Sequence, residues 1–61
     1  MNRLKELREA AQLTQAQLGE KVGLTHSAVC RHETGSREMS FHDLKRYAQA
    51  LGCTIDDIRG V

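Results

Sequence analysis

Ser40, His42 and Asp43 are the residue types of a hydrolytic relay, and His26 and Cys30 stand one helical turn apart, where two side chains can share a metal. Neither set completes its chemistry. A relay needs each member to orient the next, which three residues bunched at a helix start do not do. Zinc takes three or four ligands with a supporting shell, and His26 and Cys30 supply only two. The sequence therefore predicts no catalytic residue, no metal site and no enzymatic step. What remains is hydrogen-bond chemistry. His26, Ser27, Cys30 and Arg31 share one polar face of a short helix whose inward face carries Ala28 and Val29, with Glu33 at its margin. Arg31 offers a planar fork of donors that matches guanine O6 and N7, so such a face fits a DNA major groove. The plain alternative for Arg31 is a solvated surface charge, and for His26 an ordinary polar residue of a first helical turn.

Two short helices and a tight turn must position that face. Thr14 with Gln17 has the spacing of a capping box, and Leu18 and Val22 follow at i, i+4. Gly23 closes the segment in the left-handed conformation, and Thr25 starts the next helix, which runs from about Thr25 to Thr34. The reading is a helix-turn-helix. Leu4, Leu7 and Ala11 predict an earlier amphipathic helix over about Asn2 to Ala11, with Leu13 in the connection. Ser40 with Asp43 caps a fourth helix, whose inward stripe is read as Phe41, Leu44, Ala48 and Leu51, widened by Tyr47 and closed by Gly52. Thr54 with Asp57 caps a short fifth helix, with Ile55 and Ile58 inward and Gly60 at its end.

At 61 residues the chain is one domain, residues 1–61, near the lower size limit for folding without staples. No proline and only two aromatic residues, Phe41 and Tyr47, suit a small helical bundle better than a sheet. The net charge of +1 is too small for a nonspecific nucleic-acid coat, so binding must rest on local charge. Lys21, Arg31 and Arg37 lie in or beside the motif, whereas Asp56 and Asp57 lie far from it. Cys30 and Cys53 have no C-x-x-C spacing and read as free thiols of a reducing compartment. With no secretory leader and no apolar run of membrane-spanning length, the expected location is the cytoplasm.

The chain resembles, over essentially its whole length, the Cro and lambda-repressor type of helix-turn-helix protein, also called the xenobiotic-response-element family. The marks are LKELREA, LTQAQLGEKVGLT, VCRHETGSR and LKRYAQALGCTIDDI. The resemblance implies an all-α, five-helix lambda-repressor-like domain whose third helix lies in the major groove. It implies that His26, Ser27 and Arg31 read bases with Cys30 beside them. Gln15 becomes a phosphate contact at a helix start, with Thr25, Thr34, Ser36 and Arg37 as further DNA-backbone contacts. It also implies an ion pair between Arg8 and Glu33 linking the first helix to the third. Three residues depart from the family pattern. His32 stands where a large apolar or aromatic side chain is usual and is expected at the core edge. Gly19 replaces an alanine, so Gly19→Ala is expected to stabilise unless its methyl strikes Ala28. Met39 replaces a proline before Ser40.

The expected function is sequence-specific binding of double-stranded DNA by a transcriptional regulator of phage, mobile-element or bacterial origin. A repressor on a palindromic operator is the leading form. The other expected partner is a second copy of the chain, a homodimer formed or strengthened on DNA through the loop before helix four and the fifth-helix surface with Ile58 and Val61. No cofactor, small-molecule ligand or membrane partner is implied. A second class stays open, a helical protein-interaction module, antitoxin-like, that kept the fold and lost DNA reading.

Overall fold

Four of the five helices begin where a hydroxyl residue can hold an orphan backbone N–H. The computed structural model describes residues 2–61 and contains α1 (Leu4–Ala10), α2 (Gln15–Val22), α3 (His26–Thr34), α4 (Phe41–Leu51) and α5 (Ile55–Arg59), with no strand among the described residues. Thr14, Ser40 and Thr54 each accept from the backbone N–H three residues on, and the side chains of Gln17, Asp43 and Asp57 accept in return. Thr25 Oγ1 accepts from the Ala28 N–H to start α3. Such caps contribute typically about 1 kcal/mol each, a large share for so small a domain.

The first helix is shorter than the apolar spacing predicts, beginning at Leu4 and ending at Ala10. Asn2 is drawn into other work: its Oδ1 accepts from the Leu4 N–H at 3.0 Å while its Nδ2 donates to the His32 carbonyl at 2.8 Å. Arg3 N–H donates to the Ile58 carbonyl at 2.7 Å, so the chain start is tied to both α3 and α5. At the other end Gln12 takes a left-handed backbone conformation, φ 60°, which turns the chain out of α1.

Leu4, Leu18, Val22, Val29, Leu44, Tyr47 and Ile58 form the core, bridging all five helices. Two expectations fail here. Phe41 is 68% exposed, and the buried face of α4 is centred on Leu44 and Tyr47 instead. Met39, in the preceding loop, packs on the core ahead of the helix, and Phe41 is left at the rim of a groove shared with Arg37, Leu44 and Arg59. Ile58 is fully buried, as its inward spacing predicts, so it belongs to the core and cannot also form part of a docking surface.

Candidate nucleic-acid interface

The turn between α2 and α3 decides which face of α3 meets solvent. Gly23 adopts φ 73°, left-handed backbone that side-chain-bearing residues rarely take, and its N–H donates to the Gly19 carbonyl. Leu24 N–H donates to the same carbonyl at 2.8 Å. The chain doubles back so tightly that a Cβ on Gly19 would stand 2.5 Å from the Leu24 carbonyl oxygen. Gly19 is therefore a packing requirement. The stabilising alanine expected there is overturned, and the obstacle is the Leu24 backbone rather than Ala28.

With the turn set in this way, Ala28, Val29 and His32 point inward and are buried. His26, Ser27 and Arg31 are exposed and Cys30 is half-buried, so the four side chains proposed to read bases lie together on the solvent side of α3. Beyond α3 the chain wraps round one acceptor. The Arg31 carbonyl receives the N–H groups of Gly35 and Arg37, and the hydroxyls of Thr34 and Ser36 lie 3.3 and 3.5 Å from it. The left-handed Gly35 permits this wrap, which holds Thr34, Ser36 and Arg37, all exposed, close behind the outward face.

Three helices meet at a buried carboxylate. Arg8 Nε donates to Glu33 Oε2 at 2.5 Å and Arg8 Nη2 to Glu33 Oε1 at 3.3 Å, a forked pair joining α1 to α3. The two side chains are only 10% and 3% exposed. The hydrogen bond to Glu33 holds the Arg8 guanidinium more firmly protonated, outweighing the opposing effect of burial. Arg8 Nη1 also donates to the Leu13 carbonyl at 2.7 Å, fixing the connection that leads into α2. Gln15 Nε2 donates to Glu33 Oε1 at 2.9 Å. The residue assigned to phosphate by its place at a helix start thus has one amide hydrogen engaged inside the protein. Apolar periodicity carries no trace of that bond.

His32 lies deeper than the core edge, fully enclosed at 1% exposure. Its Nδ1 is 2.7 Å from the Tyr47 hydroxyl, and the two rings meet edge to face. Burial pushes the Tyr47 phenol well above its ordinary range, keeping it a protonated donor. The tautomer with its proton on Nε2 lets Tyr47 donate to Nδ1 and turns the remaining N–H toward Asp43 Oδ2, 3.7 Å away and beyond hydrogen-bond reach. Burial pulls the His32 pKa below its ordinary value, with Arg37 acting the same way and Asp43 opposing. Asp43 is engaged in the capping box of α4, so the bond that ties the back of α3 to α4 is the one between His32 and Tyr47.

The relay types seen in the sequence serve structure here, since Ser40 and Asp43 cap each other and His42 is exposed. No cluster of three or more His, Cys, Asp or Glu side chains suited to a metal occurs among the described residues. Among them too, no helix is long and apolar enough to cross a membrane. Cys53 is half-buried against the core, and burial raises its thiol pKa. Sequence reasoning missed Arg46, whose Nη1 donates to the Val22 carbonyl at 2.8 Å and caps the end of α2 from α4. A family model described as a helix-turn-helix domain matches residues 2–59, nearly the whole chain. No curated protein and no solved structure gives a significant match.

Proposed function

The chain belongs to the helix-turn-helix domain family, within the Cro and lambda-repressor-like superfamily of DNA-binding domains, and from that premise we propose that it is a sequence-specific transcriptional repressor acting on a palindromic operator. The observation that carries this reading is the outward face of α3. His26, Ser27 and Arg31 stand exposed with Cys30 beside them, while Ala28, Val29 and His32 anchor the same helix in the core. A rigidly seated helix bearing exposed donors is what a major groove admits.

In this reading Arg31 pairs with a guanine, Ser27 and His26 add adaptable hydrogen bonds, and Cys30 packs against a base edge. Backbone contacts come from both ends of the motif. Gln15 and Thr25 lie at the starts of α2 and α3, where the helix dipole favours a phosphate. The Thr25 hydroxyl accepts from Ala28 and keeps its own hydrogen to donate. Thr34, Ser36 and Arg37 approach the phosphates from the loop behind α3. The protein carries out no reaction; it occupies a promoter and excludes polymerase. A symmetric pair of domains reads the two half-sites, meeting through the loop before α4 and the exposed Phe41 and Val61.

Selection of bound sites from a random duplex pool tests the proposal, followed by affinity for the winner at two salt concentrations. The expected result is an inverted repeat with binding that falls steeply as salt rises. A pool that yields no enriched sequence, with salt-insensitive or absent binding, would overturn it and leave the protein-interaction module.

A further inference from the structure

We propose that Glu33 is a positioning residue for DNA binding: it holds the Gln15 carboxamide so that one amide hydrogen is left to donate to a phosphate, and Arg8 neutralises the carboxylate that does the holding. The proposal rests on the reading of Gln15 as a phosphate contact. Three facts carry it. Glu33 is almost wholly enclosed, it receives Gln15 Nε2 and the Arg8 fork together, and Gln15 itself is only half-buried.

The orientation of the Gln15 amide follows from chemistry. An ionised carboxylate accepts and cannot donate, so the edge of the amide that faces Glu33 must be its NH2 edge. The opposite flip would set the amide oxygen against a carboxylate oxygen. One N–H is spent on Glu33, and the second is the donor that remains for an acceptor outside. A free glutamine at that place would present oxygen or nitrogen with little preference, and oxygen repels a phosphate.

Charge makes Arg8 necessary to the device. A bare carboxylate behind a phosphate contact would repel DNA, but the forked guanidinium pairs Glu33 and cancels its charge locally. Arg8 also holds the Leu13 carbonyl, which sets the chain just before the Thr14 cap and so the place where Gln15 begins α2. One buried pair therefore fixes both where Gln15 sits and which way its amide faces.

A thermodynamic cycle on the selected operator duplex tests this. Arg8→Met with Glu33→Leu removes both charges at once, which avoids stranding either, and thermal melting checks that the domain still folds. Gln15→Ala in the natural background is expected to weaken DNA binding about tenfold, the scale of a hydrogen bond to a charged group. Because glutamine is neutral, the salt dependence should stay as it was, which a lost cation would not allow. The Arg8→Met, Glu33→Leu pair should weaken binding by a similar factor, and adding Gln15→Ala to it should cost little more. A full further tenfold loss in the paired background overturns the positioning role. So does a neutral Gln15→Ala on a duplex the natural protein binds well, an outcome that leaves the DNA reading standing. Failure of the natural protein to bind any selected duplex overturns both. A measurement on the unaltered protein covers the case in which the paired variant does not fold: side-chain amide relaxation should show Gln15 rigid where the exposed Gln12 is mobile. Equal mobility of the two would overturn the proposal.

Discussion

Gly19 and Leu24 meet backbone to backbone, with the space a Cβ would need on Gly19 already taken by the Leu24 carbonyl oxygen 2.5 Å away. Helix propensity favours alanine there by about 1 kcal/mol, but the clash is with a main chain that is itself hydrogen-bonded, Leu24 N–H to the Gly19 carbonyl. The second effect wins. Gly19→Ala should destabilise the domain by about 1–3 kcal/mol, lowering the melting midpoint and loosening the seat of α3. A raised midpoint in a thermal melt would show that the turn can open at no cost.

The His32–Tyr47 pair makes stability depend on pH. Burial lowers the His32 pKa in the folded state, so the unfolded chain takes up the proton first as pH falls. Stability is full above the ordinary histidine value of about 6.5 and is lost as pH drops from there toward the lowered folded value. Asp57 adds a separate acid loss. Its carboxylate, held down mainly by the Thr54 N–H, contributes above the ordinary aspartate range and is lost as pH falls through the folded value. Replacing both ring partners, His32→Leu with Tyr47→Phe, should flatten the denaturation midpoint between about pH 7 and 5 while leaving the Asp57 loss in place. A profile that keeps its slope in that window would assign the dependence to another group.

These two sites show where the sequence was legible and where it was not. Caps are local, so Thr14 with Gln17, Ser40 with Asp43 and Thr54 with Asp57 announced three helix starts from spacing alone. The outward face of α3 followed from helical period, and so did most of the core. Gly19, Phe41 and the depth of His32 depended on what packs over them from elsewhere in the chain. Periodicity reports that a residue shares a face, and it does not report whether a loop residue such as Met39 has already filled the space that face looks into.

Gln12 is the one described residue other than glycine with a positive φ, at 60°. Left-handed backbone costs a side-chain-bearing residue about 1–2 kcal/mol, and glycine escapes that cost while gaining freedom in the unfolded chain. Gln12→Gly should therefore be neutral to stabilising, by up to about 1 kcal/mol in urea denaturation. A clear loss would mean that the Gln12 side chain makes a contact worth more than the strain.

Arg31 and Arg37 should separate under mutation although both are exposed arginines. Arg31→Ala should lower preference for the selected operator over random duplex by about 1–3 kcal/mol, with weak nonspecific binding largely kept. Arg37→Ala should weaken both alike and reduce the slope of affinity against salt by about 1. Equal losses on operator and random DNA for Arg31→Ala, with circular dichroism unchanged, would remove it from base reading.

The exposure of Phe41 bounds how strong the proposed contact between two copies can be. Phe41 is 68% exposed at the rim of a groove lined by Arg37, Met39, Leu44 and Arg59, and Val61 is 87% exposed, whereas Ile58 contributes nothing to the surface. A standard stable interface takes about 800 Å² from each partner, roughly a fifth of the 4033 Å² this chain exposes. One phenylalanine buries only about 150–250 Å², so two copies meeting through Phe41 fall well short of that area and should separate when free. On the proposed operator, DNA would supply the missing term by holding both copies side by side at high effective concentration. Sedimentation should thus show monomer at micromolar concentration, and titration of a two-half-site duplex should be cooperative. Phe41→Ser should reduce that cooperativity about tenfold, the scale of one buried aromatic anchor, while affinity for a single half-site stays unchanged. A dimer that persists at nanomolar concentration without DNA, or cooperativity untouched by Phe41→Ser, would place the contact on a different face of the domain.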